Sequence, residues 1–201
     1  VEHDLKAFDP KGTEIDRRSF YTQKLRKPDD QQGIDIRIEA RHPVGVYVLV
    51  INTVAPVCVV SSAGKVVHYL PPGLRALVSP QWGGQAWFMP EEGAEVLIGN
   101  LPGTPHERVV ALDGNHRIVA TSRITGTRIT KGTGGPRQIP IGEPCRFKPK
   151  TAGLHSVVTA AGDWHASREI RGAKPWFAAR KSEWFDPERH LMPDLTKLLE
   201  K

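Results

Sequence analysis

Hydrophobic and polar positions alternate most cleanly over Ile34-Asp35-Ile36-Arg37-Ile38-Glu39-Ala40. The isoleucines fall on one side and Asp35, Arg37 and Glu39 on the other. That is the period of a half-buried strand. His42-Pro43 ends it. Val44 to Asn52 follows as a near-continuous β-branched run, which predicts a strand covered on both faces, at the centre of the fold. On this reading Val48, Val50, Val59 and Trp87 are core residues.

Short apolar runs then recur between turn residues. Val57 to Ser61 and Lys65 to Leu70 flank Ser62-Ala63-Gly64 as a hairpin. Leu74 to Val78, Gln85 to Met89 and Glu95 to Ile98 are divided by Gly/Pro turns. Arg108 to Leu112 and His116 to Ser122 flank Asp113-Gly114-Asn115, the strongest hairpin signal in the chain. Arg123 to Thr130 is a further Thr/Ile-rich strand, and Lys131 to Pro136 a glycine-rich loop. Cys145 to Phe147, Leu154 to Thr159 and Glu169 to Arg171 complete the set. No amphipathic helix of ten or more residues lies between these runs. Parallel strands need long crossovers, so the pattern predicts an all-β, antiparallel sandwich or jelly-roll-like body over residues 34–171.

The two ends differ from this body. Residues 1–33 alternate in charge and carry few, widely spaced apolar side chains, among them Phe8, Phe20 and Tyr21. They predict an extended arm closed by a turn-rich linker, with one short helix around Ser19 to Arg26. Residues 172–201 place Trp176, Phe177, Trp184 and Phe185 among charges. Leu195, Leu198 and Leu199 form the apolar side of a short terminal helix that starts near Pro193.

Length and charge add bounds. A chain of 201 residues can bury its own core without metal or disulfide staples. Its longest apolar run is far short of the roughly 18 residues that span a bilayer, so no membrane partner is expected. The net charge of +6 is concentrated in residues 101–153, which hold nine basic and three acidic residues. Arg117, Arg123 and Arg128 there predict either an anion-facing surface, for nucleic acid or an acidic subunit, or an ordinary solvated sheet face.

Candidate chemistry is sparse. Cys58 lies in an apolar run and reads as a small buried hydrophobe; Cys145 could pair with it only if the fold brings them together. His155, Asp163, His165 and Glu169 could supply a metal triad, but nothing in their spacing fixes the geometry. The glycine loop at 131–135 fails both phosphate-binding patterns. No nucleophile elbow is present. The sequence therefore predicts no catalytic, cofactor or metal residues. It predicts a non-enzymatic structural subunit, such as a viral capsid, collar or tail protein. That subunit would be a homo-oligomer docking through Phe8, Phe20, Tyr21, Trp176, Phe177, Trp184 and Phe185 on its terminal arms, with the virion as one natural location. Two alternatives stand beside it: a carbohydrate-binding module that stacks sugars on Trp82, Trp87 or Trp164, and a nucleic-acid contact through the basic segment.

Overall fold

The computed structural model describes residues 2–21, 36–39, 41–52, 64–69, 76–77, 85–100, 108–132, 135–159 and 167–199. Strands make up 52% of it and helical turns 8%, so the protein is all-β. Every strand pair among the described residues is antiparallel. The chain divides into two compact units, residues 1–57 with 186–201, and residues 58–185.

In the first unit, β1 (Glu2–Phe8) and β2 (Glu14–Tyr21) form a hairpin, and β3 (Val48–Asn52) pairs with the free side of β1. The hairpin turn is built on Asp9. Its Oδ1 accepts the N–H groups of Lys11 and Thr13, both at 2.9 Å. Its own N–H donates to the Thr13 carbonyl, and Gly12, at φ 84°, takes the left-handed position that glycine tolerates. Leu5, Ala7 and Phe8 are buried. The C-terminal segment belongs to the same unit: the Val46 N–H donates to the Leu191 carbonyl, and Leu198 of α1 (Leu195–Leu199) is buried.

Several expectations change here. Residues 2–21 are not an extended arm: β1 and β2 are ordered within the chain, because β3 supplies the third strand that an isolated hairpin lacks; the rest of the predicted arm lies outside the described residues. Ser19, Phe20 and Tyr21 lie in β2, not in a helix. Residues 36–39 form no strand, and Ile38 is exposed. The run from Val44 shortens to β3, an edge strand whose Val48 and Val50 are only half-buried. Val59 and Cys58 lie outside the described residues.

The larger unit holds two sheets and a ribbon. Its strands are β4 (His68–Tyr69), β5 (Ala76–Leu77), β6 (Gln85–Pro90), β7 (Val96–Asn100), β8 (Val109–Leu112), β9 (Ile118–Thr121), β10 (Arg123–Gly132), β11 (Gly135–Glu143), β12 (Cys145–Phe147), β13 (His155–Thr159), β14 (Ser167–Arg171) and β15 (Ala173–Ala178). One sheet runs β4-β15-β6-β13-β8-β9 and the other β12-β7-β14-β5. A single apolar cluster draws on both. Ala86, Phe88, Val109, Ala111, Val157 and Phe177 come from the first sheet; Val96, Ile98, Cys145 and Phe147 come from the second.

The chain passes between sheets at tight corners. Only Gly172, at φ 72°, separates β14 from β15. A Cβ at this position would collide with the Glu95 carbonyl oxygen, so the corner requires glycine. The C-terminal extension expected from residue 172 is thus no appendage. β15 is an interior strand, and its Trp176 and Phe177 are core residues.

Candidate docking ribbon

Arg123-Ile124-Thr125-Gly126-Thr127-Arg128-Ile129-Thr130 is rich in β-branched residues, which favours strand. The return strand carries Ile139 and Ile141. Together β10 and β11 form a separate two-stranded sheet. Gly132 pairs with Gly135 at its far end, and Gly135 has φ 97°. The predicted glycine loop from Lys131 to Pro136 is therefore largely ladder. At about 3.4 Å per residue, the ten residues of β10 extend roughly 34 Å.

The register sorts the side chains. Gly126 faces Ile141, Arg128 faces Ile139 and Thr130 faces Arg137, while an irregularity between Ile124 and Gly126 shifts the base of the ribbon. Opposed residues share a face. Arg123, Arg128 and Arg137 therefore lie on one face, with Glu143, Ile139 and Ile141. The other face carries Ile124, Thr127, Ile129, Lys131, Pro136, Gln138 and Pro140. All three arginines are exposed. Among the described residues, none of them makes an ion pair. Ile124 is 47% exposed and Ile129 67%, high values for isoleucine on a sheet.

Pro136 and Pro140 share one parity on β11. Proline has no N–H to give a ladder, so these positions turn away from β10. The outer edge of the ribbon thus lacks donors at both places, which disfavours the addition of a further strand there. Its faces, not its edge, are what it offers a partner.

The structure distributes the other candidates elsewhere. Arg117 sits in the β8–β9 turn, where its N–H donates to Asp113 Oδ1. It does not share the ribbon face with Arg123 and Arg128, and Arg137 takes that place. Arg137 belongs to the basic segment, but it follows a glycine-rich stretch that reads as loop, so the sequence does not place it on a strand face with Arg123 and Arg128. Its signal was the renewed Ile/Pro alternation over residues 137–141. Phe8, Trp176 and Phe177 are buried within the chain and are not free to dock on a neighbour. Trp184 is half-buried, and its indole N–H donates to the Trp176 carbonyl at 3.2 Å. Phe185 is also half-buried. The side chains of Phe20 and Tyr21 are outside the described residues.

Trp87 is 3% exposed and cannot stack on a sugar. His116 and Lys181 cover it, with Lys181 Nζ 5.7 Å from the ring centroid. Trp82 and Trp164 are outside the described residues. His155 is buried, its Nδ1 lies 3.0 Å from the Gly153 carbonyl, and its ring stacks on Phe147. Asp163 and His165 are outside the described residues. Cys145 is a free buried thiol, and burial pushes its pKa up to about 11. At neutral pH it holds its proton and is a poor nucleophile.

No family model, curated protein or solved structure matches this chain.

Proposed function

We propose that this protein is a non-enzymatic structural subunit of a multi-subunit assembly. A symmetric shell or tube, such as a viral capsid, collar or tail, is the setting we favour, with the two sheets of the larger unit forming a sandwich or jelly-roll-like body. The observation that carries this reading is the β10–β11 ribbon, a long hairpin in its own sheet with Ile124 and Ile129 uncovered. A two-stranded ribbon is marginal in water alone, and its exposed Ile124 and Ile129 share one face, apolar surface that a partner can cover. Covering it with a neighbouring subunit buries that surface at about 25 cal/mol per Å². Docking therefore shifts from the chain ends, whose Phe8, Trp176 and Phe177 serve the protein's own core, to the ribbon. A hairpin from one subunit laid on the next makes a directional contact that repeats around a ring or along a tube.

The test is the mass of the native particle by light scattering. The expected result is a multiple of the 22.2 kDa chain, and a variant with residues 125–141 replaced by a two-residue turn should run as a folded monomer. A wild-type protein that stays monomeric at high concentration rejects the reading.

A further inference from the structure

The arginine side of the ribbon is distinct from its Ile124/Ile129 side and does not depend on the assembly reading. We infer that this side docks on duplex DNA, with the ribbon lying in a groove and Arg123, Arg128 and Arg137 on the phosphates. Three features converge. The first is placement. Arg137 stands opposite Thr130, two residues beyond Arg128, so the two guanidinium groups project from diagonal positions about 7–8 Å apart. Arg123 continues the row toward the base. The second is charge. Glu143 is the only carboxylate on this face, and it lies at the base. Lys131, near the tip, points to the opposite face and is not counted among these contacts. Exposed guanidinium groups with no ion pair among the described residues are ready for bidentate contact with phosphate.

The third feature is shape. The B-form major groove, about 12 Å wide, admits a two-stranded ribbon whose strands lie about 4.8 Å apart. The ribbon's length of roughly 34 Å matches about one turn of duplex. Pro136 and Pro140 keep its outer edge from recruiting another strand, so it stays narrow enough to enter. A second copy of the same face is disfavoured, because it would set arginine against arginine. A-form RNA has a deep, narrow major groove that excludes such a ribbon, which makes DNA the better fit.

The experiment uses the full chain and a fluorescein-labelled 20-base-pair DNA duplex, followed by anisotropy from 50 to 200 mM salt. Each phosphate contact contributes about 0.9 to the log–log salt slope. Three contacts thus weaken binding about 40-fold across that range. The variant R123Q/R128Q/R137Q should lose that salt-dependent component, R128Q alone about a third of the slope, and Q138A, at an exposed position on the opposite face, none of it. Circular dichroism confirms that each variant is folded. The inference is overturned if the wild-type protein does not bind at 50 mM salt. It is also overturned if the triple variant keeps its slope, if an RNA duplex binds more tightly than DNA, or if polyglutamate competes as well as DNA. The last result would identify an acidic protein as the partner. None of these outcomes depends on the particle mass, so this inference and the assembly reading fail separately.

Discussion

His116 sets its ring edge-on against Trp87, with centroids 5.3 Å apart and planes at 84°, from a left-handed backbone position at φ 62°. The turn that holds it repeats the β1–β2 turn bond for bond. Asp113 Oδ1 accepts from Asn115 and Arg117 N–H groups at 2.8 and 2.9 Å, as Asp9 does from Lys11 and Thr13. In both turns the Asp N–H reaches the residue four places on, and its carbonyl accepts from the residue three places on. Glycine fills the left-handed position in one turn and His116 in the other. A side chain there costs about 1–2 kcal/mol. We attribute its presence to the cover it gives Trp87.

Substitutions at 116 separate these two contributions. His116→Ala keeps the backbone cost and removes the ring, whereas His116→Gly removes both. His116→Gly should be the more stable of the two by about 1 kcal/mol in urea unfolding. Equal stabilities would show that the turn relaxes out of the left-handed region when the ring is gone.

The position of the core is open to the same measurement. Phe88 is fully buried between Phe177 and His155, so Phe88→Ala should cost about 3–5 kcal/mol. Val50 sits half-buried on an edge strand, and Val50→Ala should cost about 1 kcal/mol. A larger loss at Val50 would return the centre of the fold to β3.

Gly172 marks the corner between the sheets. Gly172→Ala places a methyl group on the Glu95 carbonyl and forces alanine to φ 72°. The two penalties together should destabilise the larger unit by at least about 2 kcal/mol. A variant that melts with the wild-type protein would mean that the corner moves freely.

Acid should weaken the larger unit through His68. Burial holds its pKa below the ordinary 6.5, against an opposing attraction from Glu183. The folded state thus favours the neutral ring, and the unfolded chain binds its proton at higher pH. Stability from this site is complete above pH 6.5. It falls as pH drops through that value toward the lowered folded pKa. Melting temperature should decline more between pH 7.5 and 5 for the wild-type protein than for His68→Gln. Parallel declines would remove His68 as the cause.

Cys145 should be silent to thiol reagents. With its pKa at about 11 and its side chain buried, a Cys58→Ser protein should show no reaction at pH 8 until denaturant is added. Prompt labelling of the folded protein would mean that the core around β12 opens readily.

Local signals were readable from the chain itself. Turn chemistry at Asp113-Gly114 and short apolar runs such as Val96 to Ile98 mark strands through contacts a few residues long. The lack of long helical crossovers then requires antiparallel pairing. The Asp9-Pro10-Lys11-Gly12-Thr13 turn was equally local, but the few apolar residues around it read as an arm. Its hairpin is ordered by β3, whose residues pair with β1 across 40 to 48 positions of sequence, and no periodicity reports a pairing at that distance. The same limit hid the core role of Trp176 and Phe177. A strand with aromatics among charges reads alike whether it docks on a neighbour or on its own sheet, and only the placement of β15 between β4 and β6 decided it. The ribbon shows the division most directly. Composition marked residues 101–153 as basic, but register alone put Arg123, Arg128 and Arg137 on one face, because a shift of one residue across a pleated ladder moves every side chain to the other side.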